Sequence, residues 1–156
     1  MTYRDDSAKW ELVKQFTVPG QPVGKGRPRF FKAGKGIRSR TPAKTKDYER
    51  AVGLMCPGRA IPAGVPVRLR VLAVMKRPQS MMARRYGDGL LMCPKKPDAD
   101  NILKACMDAL NGVAYADDNQ VTDAEVQTRY AERQGKPRTE IEIYTLNNTT
   151  PQDQER

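Results

Sequence analysis

The chain has 156 residues, of which 28 are lysine or arginine and 18 aspartate or glutamate, giving a formal net charge of +10 with no histidine at all. That length fits one domain with a modest core, because only 38% of the residues are apolar and the mean hydropathy is −0.71. The missing histidine excludes imidazole-based zinc sites, Ser-His-Asp triads and Cys-His dyads. Any acid–base or metal chemistry must therefore run on carboxylates and lysines, whose oxygen donors suit magnesium or manganese.

In chain order, residues 1–9 are expected to be disordered. They carry no apolar stretch and so do not resemble a signal peptide. Residues 10–146 are expected to form a single domain. Trp10, Leu12, Phe16 and Val18 keep one side of a period-2 pattern that Lys14 interrupts, which predicts a strand over 10–18. Residues 20–40, rich in Gly, Pro and Arg, read as a long irregular or hairpin excursion. Thr41-Pro42 reads as a helix start with Thr41 as N-cap, and Tyr48, Ala51, Val52 and Met55 at helical spacing carry that helix from 42 to 55. Val67, Leu69, Val71, Ala73 and Met75 alternate with Arg68 and Arg70 in a second strand. Residues 77–96 form a polar insertion with room for a short helix. A helix over 101–110 closes at Asn111-Gly112, and strands over 120–131 and 138–146 follow, with a turn at 134–137. The tail 147–156 is expected to be disordered. The order β–α–β–α–β–β implies an α+β fold: a small mixed or antiparallel sheet with two main helices packed on one face.

Nothing in the chain reaches the run of about 18 apolar residues that a membrane span needs, so a soluble cytoplasmic protein is expected, with no organic cofactor in view. Cys56, Cys93 and Cys106 are odd in number and lack metal-ligand spacing. No role is assigned to them, and Cys106 reads as a small core residue.

The positive charge is unevenly placed. Between Lys25 and Lys46 lie nine basic residues and no acidic one. Lys25, Arg27, Arg29, Lys32, Arg38 and Arg40 in this run, together with Lys95 and Lys96, are the expected contacts to nucleic-acid phosphates. A merely solvated loop is the alternative. A membrane surface is disfavoured, because glycine and proline break the run and it has no helical amphipathicity.

The informative carboxylates lie in Lys95-Lys96-Pro97-Asp98-Ala99-Asp100-Asn101-Ile102-Leu103-Lys104. If the backbone is extended there, residues i and i+2 point the same way and both carboxylates face one place. A helix start needs a single capping oxygen, so one of the two aspartates could be only a cap. Lys104 stands one turn after Asp100, where a cation can stabilise charge developing on a phosphate. Asp117-Asp118 follows the helix, and the short loop 111–116 can return Asp118 towards the helix start or the neighbouring strand. Three carboxylates and a lysine within 21 residues of a basic chain have the composition of a metal-assisted phosphoryl-transfer site.

The string KPDADNILKACMDALNGVAYADDNQV closely resembles the signature of RusA-like Holliday-junction resolvases, a family often encoded by prophages. GKGRPRF followed by TPAKTKDYE, and the closing PRTEIEIY, extend the likeness over residues 12–146. The resemblance implies a homodimeric, magnesium- or manganese-dependent endonuclease that nicks two opposing strands of a four-way DNA junction in recombination and repair. It places the metal ligands at Asp98, Asp100 and Asp118 and an essential lysine at Lys104, with Asp117 the weaker of its pair. The stretches 25–46 and 77–96 are longer than a compact member needs. Two other readings stay open at this point: a non-catalytic basic DNA-binding protein, and a metal nuclease acting on other branched DNA.

Overall fold

The computed structural model describes residues 9–146. The segments 1–8 and 147–156, which carry the expectations of disorder, lie outside the described residues. The chain forms β1 (Trp10–Pro19), β2 (Arg29–Ala33), β3 (Gly36–Arg40), α1 (Ala43–Met55), β4 (Val67–Met75), β5 (Leu91–Met92), α2 (Ala99–Leu110), β6 (Val121–Tyr130) and β7 (Arg138–Leu146), with single 3-10 turns at Gln79–Met81, Arg84–Tyr86 and Asp118–Gln120. A five-stranded mixed sheet has the order β1-β7-β4-β6-β5, and β2-β3 is a separate two-stranded hairpin. β4 and β6 are parallel, so the connection between them must cross over, and α2 lies on it. β4 and β7 are antiparallel. The fold is α+β, as the order of elements implied.

One face of the sheet carries the core. Leu69, Val71 and Ala73 of β4 and Ile141 and Ile143 of β7 are buried there, and Tyr48, Val52, Ile102, Ala105, Cys106 and Leu110 come down on them from the two helices. Each large aliphatic side chain so buried contributes roughly 1.5–3 kcal/mol. α1 and α2 pack tightly where Gly53 meets α2: a Cβ there would lie 3.3 Å from the Ala109 carbonyl oxygen. The Tyr48 hydroxyl crosses the core to Thr139 Oγ1 at 2.6 Å, which satisfies two buried polar groups together. Burial pushes the Cys106 thiol up to about 12, so it is inert packing and no nucleophile.

Several boundaries differ from the sequence reading, each for a local reason. β1 contains an irregularity between Leu12 and Lys14, and such a bulge flips the side chains on either side of it. Trp10 and Leu12 therefore face outwards, where the Arg68 guanidinium lies 4.5 Å from the Trp10 ring. Lys14, the exception to the alternation, points inwards and is buried. Its ammonium donates to the Pro57 and Arg59 carbonyls at 2.5 and 2.7 Å and ties the end of α1 to β1. In α1 the N-cap position falls on Pro42 and not on Thr41, with no side-chain cap; the proline ring holds the residue before it in extended conformation. The polar insertion 77–96 holds no α-helix, only the two 3-10 turns and β5. It is organised by buried Arg77, which donates to the Met81 and Gly87 carbonyls. No helix among the described residues is long and apolar enough to cross a membrane.

The turn from β6 to β7 is closed by Arg138, whose guanidinium meets the Glu132 carboxylate at 2.7 Å and holds its pKa at about 2, below the ordinary 4.5. A depressed carboxylate pKa adds stability that is complete above the unfolded value and is lost as pH falls through the folded one. Because Glu132 is more than a third exposed, the contribution is under about 1 kcal/mol. Glu132→Gln should leave stability near neutrality almost unchanged and flatten its decline between pH 4.5 and 2. Chemical denaturation across that window measures it, and an identical slope in both proteins would contradict the assignment.

Candidate functional site

α2 begins two residues earlier than the sequence suggested, with Asp98 at the N-cap position and Asp100 inside the first turn. The two aspartates therefore do not sit on one extended dipeptide. Asp98 keeps an extended backbone (φ −67, ψ 148), and its side chain makes no capping hydrogen bond. Both carboxylates are exposed. The cap function that would have accounted for Asp98 is thus left unperformed, and the carboxyl stays available beside the positive end of the helix dipole.

The segment 20–28 lies across this helix start. Lys25 N donates to the Asn101 carbonyl at 2.9 Å, and a Cβ on Gly24 would be 2.8 Å from Pro97 Cβ, so only glycine allows that approach. A cleft of about 490 Å³ results, lined by Gly24, Lys25, Arg27, Lys96, Pro97, Asp98 and Asn101. Three of the expected phosphate contacts thus share a wall with Asp98. Lys25 is nevertheless already paired: its ammonium lies 2.6 Å from Glu49 Oε1 on α1 and 2.8 Å from Asp108 Oδ2 on α2. Burial pulls its pKa down, but the Asp108 and Glu49 carboxylates outweigh that and hold it above its ordinary value. Its charge fastens the loop to both helices.

After α2, Asp117 and Asp118 are held in a compact turn. Asp117 accepts from Asn119 N at 3.0 Å, and its own N–H donates to Gln120 Oε1 at 2.9 Å, a reciprocal capping box. Gln120 is buried and donates to the Pro62 and Val65 carbonyls at 2.7 and 3.0 Å. Asp117 is therefore committed to structure although it is exposed, and Asp118, half-buried, is the aspartate of the pair that takes no part in the cap. The Asp117 carboxyl beside it, and then the charge of Asp108, raise the Asp118 pKa. Of these neighbours Asp108 belongs to the far part of α2, roughly 12 Å along the helix axis from Asp100. Among the described residues no three Asp, Glu or Cys side chains lie close enough together to hold a metal ion. The loop 111–116 thus leaves Asp98, Asp100 and Asp118 without the ready cage that the sequence suggested.

Residues 19–144 match the family described as Endodeoxyribonuclease RusA. The chain belongs to the RusA endodeoxyribonuclease family. It is also similar to a Bacillus subtilis (strain 168) protein named Uncharacterized protein YqaN, 36% identical over 136 residues that cover 83% of this chain and 94% of that one. Membership makes the chain a nuclease that cuts within DNA, which accords with an acidic helix start set in a basic cleft.

For a RusA-family chain, sequence reasoning left two residues of this region unassigned. Asp108 is one; it reads as an ordinary exposed helix residue until Lys25 is found upon it. Gln120 is the other, a polar residue entering a strand whose burial no local pattern reveals. Replacing Gln120 with alanine leaves the Val65 carbonyl and the Asp117 N–H without partners and the Pro62 carbonyl with only the Val65 N–H at 3.4 Å, a cost of about 1–3 kcal/mol. We expect Gln120→Ala to lower the denaturant midpoint and to speed amide exchange at Asn119 and Val121. Unchanged exchange there would show that the turn holds without it.

Proposed function

We propose that the chain is a resolvase of four-way DNA junctions. It would cut two opposing strands in a reaction that needs Mg2+, or Mn2+ in its place, and serve recombination and repair in the cytoplasm. The observation that carries this reading is the cleft at the start of α2, where the unspent Asp98 carboxyl shares a wall with Arg27 and Lys96. A phosphodiester is drawn into such a place by cations and needs, once there, a divalent ion to offset the carboxylates.

The donors are hard oxygens, which fit magnesium. A three-acid cage is not required for it, since Mg2+ keeps several waters and is commonly held by one or two carboxylates together with substrate phosphate oxygens. Asp98 and Asp100 would be the principal ligands, with Asp118 contributing from the turn below. A bound ion would supply charge neutralisation at the phosphate and a water of lowered pKa. Lys104, exposed one turn beyond Asp100, would offer its ammonium to charge developing on the phosphoryl oxygens. Arg27, Lys95 and Lys96 would hold the phosphate being cut. Arg29, Lys32, Arg38 and Arg40 would carry the backbone along the hairpin, and Lys25 would position the loop from its ion pairs. Two cuts related by an approximate two-fold axis call for a homodimer.

The missing cage is also the one observation favouring a different reading, a basic DNA-binding protein without catalysis. A labelled synthetic four-way junction incubated with and without Mg2+ separates the two. Paired nicks that appear only with the metal support the resolvase, and binding without nicks supports the binder. Flap, fork and duplex substrates alongside test junction selectivity. Asp118→Asn should keep junction affinity within about threefold, a shift below 1 kcal/mol, and lose cleavage by two orders of magnitude or more. Cutting at the wild-type rate would remove Asp118 from the site. Arg27→Ala with Arg29→Ala should weaken binding and reduce the slope of log affinity against log salt by roughly one for each phosphate no longer neutralised; an unaltered slope would separate these arginines from the phosphates.

A further inference from the structure

The β2-β3 hairpin has two unlike faces. Its cross-strand register pairs Arg29 with Arg40, Phe30 with Ser39, Phe31 with Arg38 and Lys32 with Ile37. Opposed residues project to the same side, and successive pairs alternate sides. One face therefore holds Arg29, Arg38 and Arg40 around Phe31. The other presents Phe30 and Ile37 as diagonal neighbours, with Ser39 opposite Phe30 and Lys32 opposite Ile37. Every residue of the two strands is exposed except Ala33, which is half-buried. Phe30 and Ile37 are each 74% exposed. A two-stranded ribbon is at best marginally stable in water without something against its apolar side.

We infer that this apolar side is a wedge for DNA bases: Phe30 and Ile37 enter the base stack at a branch point while the arginine face of the same hairpin follows the phosphates. The inference rests on the junction reading above and goes further by naming where on the DNA the hairpin acts. Charge decides the occupant. No acidic residue lies between Lys25 and Lys46, and the reverse side of the ribbon carries three arginines. The partner must therefore be anionic and yet offer flat apolar surface. A second copy packed through this side would bring Lys32 of one hairpin towards Lys32 of the other, with no carboxylate in either strand to offset them. Continuous duplex keeps its base faces stacked away, whereas a branch point interrupts the stack and lays them open. Apolar side chains that part base steps are a known device for bending and opening DNA, and aromatic side chains stack on any base without sequence preference. The hairpin is suited to reach such a place. It projects by a tight two-residue turn at Gly34-Lys35 with Gly34 at φ +61, a conformation glycine adopts at no steric cost.

The test uses the full chain and a four-way junction carrying 2-aminopurine at the branch point, with a second junction carrying it mid-arm. Both are measured without divalent metal so that no strand is cut. Binding of the unaltered protein should raise branch-point fluorescence at least twofold and leave the mid-arm probe unchanged. Phe30→Ser with Ile37→Ser should abolish the rise while junction affinity falls less than tenfold. Phe30→Tyr should retain the rise. Both substituted positions are exposed, and far-UV circular dichroism confirms folding. Binding without a branch-point signal, or a signal that survives the double substitution, overturns the wedge and leaves the nuclease reading standing. A change of oligomeric state in the double variant assigns the face to a second copy and equally overturns it. Failure to bind the junction at all removes the junction reading and the wedge together.

Discussion

The seat of α2 on the sheet is the constraint from which the rest follows. Ile102, Ala105, Cys106 and Leu110 are completely buried, and the helix forms the crossover between two parallel strands, β4 and β6. Its position is fixed at both ends by that burial. At one end it presents Asp98 and Asp100. At the other it hands the chain to the turn holding Asp117 and Asp118. An apolar face of this kind permits little sliding, because a shift of one residue would turn Asn101, Leu103 or Lys104 towards the core. The acidic residues keep their places because the neutral ones between them have no alternative.

Polar ties then set the loops against this helix. Lys25 reaches both Glu49 and Asp108 and so joins segment 20–28 to α1 and α2 at once. Lys14 gathers two carbonyls beyond α1, Arg77 gathers two in the insertion, and Gln120 two in the loop before β4. In each case one long side chain satisfies backbone groups in an irregular segment that has no ladder of its own. Such groups cost free energy when left unpaired, and this small protein meets the need with a few long polar side chains.

Strands whose one face is buried were legible in the sequence because alternation is all that burial requires of them. β7 follows its pattern, and β4 does so until its last three residues, Ala73, Val74 and Met75, all of which are buried. β1 was half legible: a single bulge reverses the faces, and period-2 reasoning carries no signal for where an extra residue will be placed. The start of α2 was read two residues late because Asp98-Ala99-Asp100 looked like an extended approach, whereas alanine is the strongest helix former and Asp100 favours a first turn. The aspartates and Lys104 stood out by composition alone. Their mutual distances did not, since a short loop after a helix can return anywhere within its reach, and here Asp118 keeps company with Asp108. Lys25 looked like any other member of a basic run, because pairing across the fold leaves no trace in local sequence.

Lys25 is not alone in being paired, and the net charge of the protein overstates the positive charge left free. Much of its positive charge is answered within the fold. On the outer face of the sheet Arg68 faces Asp123, Arg70 faces Glu125, and Arg138 stands between Glu132 and Glu140. The concavity of about 300 Å³ on that face sets Arg70 against Glu125, Glu140 and Glu142. Such a surface repels a phosphate chain as much as it attracts one. The exposed hairpin carries no carboxylate of its own, and in the cleft at the start of α2 Arg27 and Lys96 flank Asp98. The hairpin follows the cleft directly in the chain, with Arg27 lining the cleft and Arg29 opening β2, so positive charge without carboxylates of its own continues from the hairpin to the side of the cleft that holds Asp98. Long-range attraction would orient a polyanion towards that side before any contact forms, which gives an acidic site access to a substrate it would otherwise turn away.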